Sequence, residues 1–396
     1  MKLICGTTFF DKVNKRIKQY PYLDKNLECD ILIIGGGIEG AVLNYYLSKN
    51  YDVVLAEAKR IGRNSTSVAT ALLEFQLDKF AKDLANTLTE KEIVKIYSMG
   101  RKSIEEIRNF ISEHGNSCEF KEKASFLYSD KQKDVKKIKE EYEFRIKHGF
   151  ECKFFDENNN PFCFDIKAGI YEENGGAEFN PYLFSKQMID VSKNQNKIFE
   201  NTKIIRIEQN KKSNFCYTEF GNVIKCKWII LATGFNFELI DKKTVKLITQ
   251  QVSYSIVTKP VKNLGKINEV LIQDCLENYH YLRSLKDNRL IFGGEDTEFN
   301  GVLDEGLAEK KYLSLRKKLE KMLKQNIEIE NSFCGLFATT ENNLGIIGKS
   351  ENDKILYFLS CGANGIINTF CGVDIVKDIL KGKKNSFEKM FSPKRT

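Results

Sequence analysis

One stretch of the chain has the pattern of a complete strand, turn, helix and second strand: residues 30–57, DILIIGGGIEGAVLNYYLSKNYDVVLAE. Ile31 to Ile34 form an unbroken apolar run, as expected of a parallel strand that is buried on both faces. Gly35, Gly37 and Gly40 follow with the G-x-G-x-x-G spacing. In that pattern the glycines permit a tight turn, close approach of a pyrophosphate, and close packing of helix on strand. The stretch therefore predicts a dinucleotide-binding site, with phosphates at the amino-terminal end of the helix.

An acidic residue ends this unit. Residues 52–55 predict the second strand, and Glu57 lies about twenty residues beyond the glycines. A carboxylate in that place accepts hydrogen bonds from ribose hydroxyls, and it would repel a phosphate on the same ribose. The alternative interpretation is an ordinary glycine-rich turn of an α/β domain that binds no ligand.

Length and composition limit the class of protein. A chain of 396 residues is long enough for two domains with sizeable cores. No run approaches the ~20 apolar residues of a membrane span, and the first ten residues lack a leader pattern, so we expect a cytoplasmic protein with no membrane span. The 11 cysteines include no C-x-x-C pair, which indicates reduced thiols, and with 3 histidines we expect no metal site.

The net charge of +8 raises the question of an acidic partner. The lysines are spread along predicted helices and interrupted by glutamates, as in residues 131–147, which is typical of solvated faces. We therefore expect no nucleic-acid partner. The tail KGKKNSFEKMFSPKRT is the densest basic segment, and the sequence leaves open whether it is a frayed terminus or a binding arm.

Periodicity predicts the other main elements. Thr89 to His114 form an amphipathic helix, in which Thr89 and Glu92 make a capping box and Gly115 ends the helix. Residues 1–29 are a polar lead-in without assigned chemistry. Further helices are predicted at 135–148, at 304–325, and in the segment that begins with Asn180 as cap and Pro181 as first helical residue. Strands are predicted at 123–129, 202–208, 250–261, 270–275, 279–285 and 289–296, and on both sides of Gly221 and Asn222. Asp287 and Asn288 form the predicted turn between the last two numbered strands.

Three more segments carry small-residue patterns. A hydroxyl-rich loop, NSTSVATALL, occupies residues 64–73 before an apolar turn of helix, and LATG at 231–234 follows a buried strand. GIIG at 345–348 precedes the turn SCGANGIIN at 360–368 and a final helix. Together with GGGIEG and Glu57, these segments resemble the FAD-dependent oxidoreductases of the D-amino-acid oxidase type, which include glycine oxidase and sarcosine oxidase. The resemblance covers residues 30–382.

The resemblance implies an α/β fold with two discontinuous domains. One is a Rossmann-like FAD-binding domain, and the other is an α+β substrate domain built on an antiparallel sheet. The predicted FAD-binding segments are 27–85, 166–245 and 333–396, and the predicted substrate segments are 86–165 and 246–332.

The resemblance also implies where non-covalent FAD binds. Glu57 would hold the adenosine ribose, Thr66 and Ser67 would lie near the pyrophosphate, Ile204 would contact the adenine through its backbone, and Gly362 to Ile367 would meet the flavin. On residues alone, the hydroxyls of the loop could equally cap a helix that begins near Val68, and the last turn could start a helix without a ligand. The predicted cofactor-binding residues are Gly35, Gly37, Ile38, Glu39, Gly40, Glu57, Ala58, Lys59, Ser65, Thr66, Ser67, Ala69, Thr70, Ile204, Ala232, Thr233, Gly234, Gly335, Gly362, Asn364, Gly365, Ile366 and Ile367.

The chain departs from the family at the substrate site. Phe337 occupies the place where glycine and D-amino-acid oxidases have an arginine for the substrate carboxylate. Cys334 is near the covalent flavin cysteine of sarcosine oxidases but is one residue out of register, and its alternative role is a buried apolar thiol. Strand alternation would send Tyr281 and Arg283 into the substrate pocket, whereas the alternative pairs Arg283 with an acid at 295 or 296.

The function that this resemblance implies is oxidation of a C–N bond in a small amine or amino-acid derivative, by hydride transfer to flavin N5. Electrons would then pass to oxygen or another acceptor. One alternative is an FAD-dependent dehydrogenase with a quinone or protein acceptor. Another is flavin-dependent RNA modification, which needs a clustered basic cleft, whereas the lysines of this chain are dispersed.

Overall fold

The computed structural model describes residues 4–6, 8–14, 18–210, 212–276, 278–362 and 364–395. The strands are β1 (Ile4–Gly6), β2 (Leu27–Ile34), β3 (Val53–Ala56), β4 (Leu72–Glu74), β5 (Lys121–Ser129), β6 (Lys153–Phe155), β7 (Ala168–Glu178), β8 (Ile198–Phe199), β9 (Ile204–Gln209), β10 (Asn214–Thr218), β11 (Val223–Leu231), β12 (Thr249–Thr258), β13 (Val270–Asp274), β14 (His280–Ser284), β15 (Leu290–Glu298), β16 (Ile329–Thr339), β17 (Ile346–Lys349) and β18 (Ile355–Leu359). The helices are α1 (Phe9–Val13), α2 (Ile38–Leu47), α3 (Ser65–Val68), α4 (Ala81–Leu84), α5 (Glu90–His114), α6 (Val135–Lys147), α7 (Pro181–Asp190), α8 (Lys242–Val245), α9 (Glu305–Leu323), α10 (Gly365–Leu380) and α11 (Glu388–Phe391).

An eight-stranded sheet holds the predicted dinucleotide unit. Its order is β17-β18-β11-β2-β3-β8, and β10 joins β11 and pairs with β9. β18, β11, β2, β3 and β8 run parallel, so the carboxyl ends of β2, β3 and β11 meet at one edge. Ile31 and Ile33 pack with α2, α5, α7 and α10 on one face, whereas Leu32 and Ile34 pack with β9 and β10 residues on the other. Burial on both faces explains the unbroken apolar run of β2.

A ten-stranded, mostly antiparallel sheet forms the second layer. Its order is β1-β16-β12-β15-β14-β13-β5-β7-β4, and β6 pairs with β7. α9 covers one face of β12, β15 and β16, where Tyr312, Leu315 and Leu319 are buried in a common core. The two sheets bear out the α/β class, with one mainly parallel and one mainly antiparallel unit. In the described part of the chain, none of the helices is long and apolar enough to cross a bilayer.

Several local predictions are confirmed. Thr89 caps α5: its hydroxyl accepts from the backbone N–H of Glu92, whose side chain accepts from the N–H of Thr89. The side chain of Asn180 caps α7, which begins at Pro181. Asp287 and Asn288 lie in the turn between β14 and β15 with positive φ angles of 62° and 58°.

Other local predictions were wrong or missed elements. The described part of the lead-in holds β1 and α1, and β1 adds to the edge of the larger sheet. β7 was missed altogether. The helix predicted to begin near Val68 instead ends there, and the following apolar residues form β4.

The predicted domain boundaries do not follow the sheets. β4 and β7 lie inside segments assigned to the FAD-binding domain, yet both belong to the ten-stranded sheet. β16 crosses the boundary at 332 and 333 and also belongs to that sheet. The division into domains stays a prediction, and the strand memberships show where its boundaries would need to move.

The basic tail packs against the body of the protein. Arg395 donates from one guanidinium nitrogen to the carbonyl of Gly345 at 2.6 Å and from the other to Leu344 at 2.9 Å. Met390 and Phe391 of α11 are buried. Up to residue 395 the tail is therefore neither a frayed terminus nor a free binding arm; residue 396 lies outside the described part.

Candidate active site

A cavity of about 930 Å³ connects the two sheets. At one end, here called the nucleotide end, it is lined by residues at the carboxyl edge of the parallel strands, including Gly35, Glu57 and Ala232. At the other end, here called the sheet end, it is lined by residues of β12, β14 and β16 and their neighbours, including Tyr281 and Phe337. The cavity is therefore long enough to join a nucleotide site to the antiparallel sheet.

The structure places most of the predicted site residues on the wall of this cavity. Gly40, Ser67 and Arg283 are the exceptions among them. Those on the wall are Gly35, Gly37, Ile38, Glu39, Glu57, Ala58, Lys59, Ser65, Thr66, Ala69, Thr70, Ile204, Ala232, Thr233, Gly234, Tyr281, Gly335, Phe337, Gly362, Asn364, Gly365, Ile366 and Ile367. Position 363, in the middle of the last turn, lies outside the described residues.

The glycine turn after β2 is sterically closed to side chains. Gly35 has a φ of 114°, and a Cβ built there would lie 2.1 Å from the carbonyl oxygen of Ala232. A Cβ on Gly40 would lie 1.8 Å from the carbonyl oxygen of Gly35. Gly40 therefore serves the packing of α2 on the turn, which explains why it does not line the cavity.

Glu57 is held with its carboxylate at the nucleotide end. Its two oxygens accept from the backbone N–H groups of Gly36 at 2.6 Å and Lys59 at 2.8 Å. The residue is only 8% exposed, and this burial raises the pKa of its carboxyl. A carboxylate has about four lone-pair sites, so two oxygens that each hold one N–H can still accept hydroxyl donors from the cavity. These residues fit the ribose and the phosphates of FAD.

The hydroxyl loop serves the end of α2 as well as the cavity. Thr66 Oγ1 accepts from the backbone N–H of Ile38 at 3.0 Å, so it satisfies one of the free donors of α2. Ser67 is fully buried and donates to the carbonyl of Asn64 at 2.8 Å. Ser67 is therefore displaced from the position predicted for it, whereas Ser65, Thr66 and Thr70 remain on the cavity wall.

The amino-terminal end of α10 lies on the wall of the cavity. Gly365, Ile366 and Ile367 line it, and the N–H of Gly362 is turned away to the carbonyl of Ala338 at 2.7 Å. The first N–H groups of a helix have no partners within the helix and carry the positive end of its dipole. This end of α10 therefore favours negative charge in the cavity.

Glu39 lies on the cavity wall between the two helix ends. Its carboxylate accepts from the backbone N–H of Ser360 at 2.6 Å and so links α2 to the segment before α10. Burial raises the pKa of this carboxyl to about 7, although the Ser360 hydrogen bonds lower it. The carboxyl of Glu39 therefore holds its proton to a higher pH than an exposed glutamate does.

We expect Glu39→Gln to stabilise the apoprotein at about pH 8 and to leave its stability unchanged at about pH 4. The pKa of this carboxyl is 4.5 in its ordinary state and about 7 in the folded protein, so unfolding releases a proton in this window. Wild-type stability therefore falls as pH rises from the lower pKa to the higher one. Glutamine keeps an acceptor for Ser360 and stays neutral. Urea unfolding of both proteins across this range measures the effect, and a difference that does not vary with pH would contradict it.

Aromatic and hydroxyl groups form the sheet end of the cavity. Tyr281 hydroxyl is hydrogen bonded to Ser253 Oγ at 3.0 Å and Ser255 Oγ at 3.2 Å. Tyr279 hydroxyl donates to Asp296 at 2.6 Å. Phe337, which replaces the expected arginine, also lies on this wall. No lysine or arginine of the described residues comes from β12, β14 or β16 into the cavity.

Arg283 is a correction to the sequence analysis. Its Nε donates to the carbonyl of Thr70 at 2.5 Å and one terminal nitrogen donates to the carbonyl of Phe179 at 3.1 Å. The other terminal nitrogen lies 3.5 Å from the carboxylate of Glu178. The alternative prediction, in which Arg283 pairs with an acid at 295 or 296, is therefore also wrong. Arg283 shares its strand face with Tyr281, but it lies farther along β14, where the Thr70 segment covers it. The buried guanidinium holds backbone segments together and does not line the cavity.

Cys334 is turned away from the cavity. It is 1% exposed and belongs to the core under α9, while its neighbours Phe333 and Gly335 line the cavity. Burial raises the pKa of its thiol to about 11. This location agrees with the interpretation of Cys334 as a buried apolar thiol and gives no support to a covalent flavin bond.

Three acidic residues near the sheet end were not predicted to lie at the site, although Asp296 was considered as a partner of Arg283. Glu74 and Asp78 lie on the cavity wall, and Asp296 accepts from Tyr279 beside it. Two features of the sequence could have indicated these acids. One is the segment EFQLD directly after the hydroxyl-rich loop, and the other is the pair of acids that follows the two glycines of β15. Neither signal shows by itself that the segments meet, because residues 78 and 296 are far apart in the chain.

Comparison with known proteins agrees with this geometry. The family model DAO, described as FAD dependent oxidoreductase, matches residues 30–373. The Bacillus subtilis protein named "Putative Rieske 2Fe-2S iron-sulfur protein YhfW" is 24% identical over 97% of this chain and 75% of its own length. Gamma-glutamylputrescine oxidoreductase of Escherichia coli is 20% identical over 92% of this chain and 87% of its own length.

The fold is also that of a solved enzyme structure. Glycine oxidase from Geobacillus kaustophilus superimposes with a TM-score of 0.78 at 16% identity, covering 94% of this chain and all of that one. The family match spans most of the chain. The protein therefore belongs to the DAO family of FAD-dependent oxidoreductases.

Proposed function

We propose that this protein oxidises the C–N bond of a small amine or amino-acid derivative. The observation that carries the proposal is that Glu57, the amino-terminal end of α10, Tyr281 and Phe337 all line one continuous cavity. Such an arrangement lets one end hold a cofactor while the other holds the compound that it oxidises.

Each part of the cavity has a separate task in this proposal. Glu57 and the glycine turn would hold the ribose and pyrophosphate of FAD, and Ile366 and Ile367 would hold the flavin through their backbone N–H groups. Bound FAD supplies the acceptor for a hydride from the carbon beside the amine nitrogen. The positive end of α10 stabilises negative charge that develops nearby. Tyr281 and Phe337 orient the substrate and exclude water.

No dedicated base is required by this reaction. An amine that enters in its neutral form can lose a hydride directly to give an iminium ion, and water converts this ion to a carbonyl compound and an ammonium ion. The side chains at the sheet end therefore act mainly by binding and orientation.

A second candidate keeps the cofactor but changes the electron acceptor. The Bacillus subtilis relative that aligns with 97% of this chain and 75% of its own length is named as a putative Rieske iron-sulfur protein. Iron-sulfur clusters accept electrons, so this name supports a dehydrogenase with a protein acceptor as the second candidate, beside an oxidase that uses oxygen. The first oxidation step is the same in both cases.

An anaerobic absorption experiment tests the proposal and separates the two candidates. FAD-loaded protein is mixed with individual amines and amino acids, and the flavin band is followed before and after admission of air. Bleaching by an amine supports the proposal, and recovery in air with peroxide release identifies an oxidase. Bleaching that persists in air but reverses with an artificial acceptor identifies a dehydrogenase. A fully loaded protein whose flavin no amine or amino acid reduces would contradict the proposal.

A further inference from the structure

A chain of three carboxylates borders the sheet end of the cavity. Glu74, at the end of β4, and Asp78 lie on the wall, and Asp296 of β15 is joined to the wall through Tyr279. Burial, followed by the charge of Asp78, raises the pKa of Glu74 to about 8. Burial also raises the pKa of Asp78, to about 6. A hydrogen bond from Gln273 lowers this pKa, and the charge of Asp296 raises it. The three acids are thus within electrostatic range of one another in succession.

Each of these acids keeps a buried oxygen without a hydrogen-bond partner. The oxygens are Glu74 Oε1, Asp78 Oδ2 and Asp296 Oδ1. Glu74 is 4% exposed and lines the cavity. A buried acceptor that is left without a donor costs about 1–3 kcal/mol. A ligand that brings donors to these oxygens would recover that cost.

The nearby cations of the protein are committed elsewhere. Arg145, whose charge acts on Glu74, donates to Glu141 and Glu172 at 2.9 Å each. His280 and Lys311, whose charges act on Asp296, have other acidic partners. His280 lies 2.9 Å from Asp274, and Lys311 lies 3.4 Å from Glu295. The unpartnered oxygens therefore point to a positive charge that comes from outside the chain.

The basic residues of the cavity belong to its other end. Among the described residues on the wall, they are Lys59, Arg63 and Lys203. Residues 59, 62 and 202 are hydrogen bonded to Glu57 or to the glycine turn, so these segments lie at the nucleotide end. The sheet end is thus acidic, and none of the described strands β12, β14 and β16 brings a lysine or arginine to the cavity wall for a substrate carboxylate.

The aromatic side chains beside the acids suit an aliphatic cation. Tyr279 and Tyr281 pack 6.1 Å apart, ring centre to ring centre, and Phe337 lies on the same wall. Aromatic faces attract ammonium groups and pack well against methylene chains. A metal ion is the less suitable occupant, since no group of three or more His, Cys, Asp or Glu in the described chain has the geometry to bind one.

We propose that the substrate is an aliphatic diamine or polyamine whose second ammonium group is bound by Asp78, with the neighbouring acids Glu74 and Asp296 adding negative potential at this end of the cavity. This inference rests on the proposed function and names the substrate class for the same cavity. One nitrogen, neutral on arrival, belongs to the bond that is oxidised: its neighbouring carbon gives a hydride to FAD, and the nitrogen loses a proton to form an imine. Water then converts the imine to a carbonyl compound and a free amine. The second nitrogen stays protonated and holds the chain in register.

Binding to the FAD-loaded protein tests this substrate class with three probes of equal chain length. They are 1,4-diaminobutane, 1-aminobutane and 4-aminobutanoate, measured by anaerobic calorimetry. We expect the diamine to bind at least about tenfold more tightly than the monoamine, because its second ammonium reaches charged acceptors. The carboxylate compound should bind most weakly, because the acids at the sheet end repel it.

Variants separate this site from general charge effects. Asp78→Asn keeps an oxygen that can accept from Gln273, and Glu74→Gln keeps the size of the side chain, so both variants should fold. Each variant removes a negative charge, so each should lose most of the preference for the diamine over the monoamine. Glu219→Gln is the matched control, because it removes a carboxylate from the cavity wall outside the sheet end. Equal affinity for diamine and monoamine, or a preference that survives in both acid variants, would overturn the inference.

Measuring reduction of the flavin together with binding distinguishes failure of the diamine assignment from failure of the proposed function. Reduction by amines without any diamine preference would overturn the diamine assignment and leave the proposed function standing. Diamine preference without reduction of the flavin by any amine would overturn the proposed function and the substrate assignment with it. Preference and reduction together, both diminished in Asp78→Asn, would support both.

Discussion

Glu57→Gln is expected to weaken FAD binding by at least about tenfold and to lower the free energy of unfolding of the apoprotein by about 2 kcal/mol. Both oxygens of Glu57 accept backbone N–H groups, from Gly36 at 2.6 Å and Lys59 at 2.8 Å. Glutamine has only one acceptor oxygen, so its amide nitrogen would face one of these donors and leave it unsatisfied. The negative charge that attracts ribose hydroxyls would also be lost. Fluorescence titration with FAD and urea unfolding measure the two effects.

Glu28→Gln provides the control for Glu57. Glu28 lies on β2, is exposed, and pairs with Lys225 at 2.9 Å on the surface. A surface substitution of this kind changes stability by no more than about 0.5 kcal/mol and should not affect FAD. Native FAD affinity in Glu57→Gln would contradict the ribose-binding role.

Arg283→Met is expected to lower the free energy of unfolding by about 3 kcal/mol while leaving the Michaelis constant for substrate unchanged. The guanidinium is 3% exposed and donates to the carbonyls of Thr70 and Phe179. Its removal leaves these carbonyls without donors and takes one cation from Glu178, which keeps Lys123 at 3.4 Å. Denaturant unfolding and steady-state kinetics on the FAD-loaded protein test the two halves of this prediction.

Arg289→Met is the matched control for Arg283. Arg289 pairs with Glu330 at 2.7 Å, and both side chains are partly exposed. Such a pair contributes at most about 1 kcal/mol, so the variant should remain close to wild type. If Arg283→Met instead kept wild-type stability and raised the Michaelis constant, the arginine would have to reach the substrate.

The dinucleotide unit could be predicted because its determinants are local. Gly35, Gly37 and Gly40 lie within six residues of one another, and the strands on either side are marked by apolar runs. The capping box of α5 was equally local, since Thr89 and Glu92 are three residues apart. In these segments the chemistry that determines the structure is contained in the sequence window that shows it.

β7 could not be predicted in the same way. Its sequence AGIYEENGGAE contains adjacent acids and adjacent glycines, which interrupt the alternation of a strand. Pairing with β5 and β4 nevertheless holds it extended, and the buried Glu172 receives a hydrogen bond from Arg145 at 2.9 Å. The partners that compensate the unfavourable residues come from other segments, which no local pattern reveals.

The site shows the same limit for side chains on a common strand face. Alternation placed Tyr281 and Arg283 together, but the cavity ends between them, and the Thr70 segment covers the arginine. The acidic residues at the sheet end were missed for a different reason. Glu74 and Asp296 lie on strands of one sheet that are distant in sequence, so no local pattern shows that both lie near the cavity.

The parallel pairing of β2 with β11, and of β11 with β18, has a consequence for how the protein is made. β2 begins at residue 27, β11 at 223 and β18 at 355, so the sheet that supports the nucleotide end joins segments that are far apart in sequence. A ribosome must release the chain up to α10 (Gly365–Leu380) before β18 and α10 can join. Insertion of FAD is therefore expected only after these residues have left the ribosome. A chain arrested before residue 355 would expose the apolar edge of β11 to chaperones.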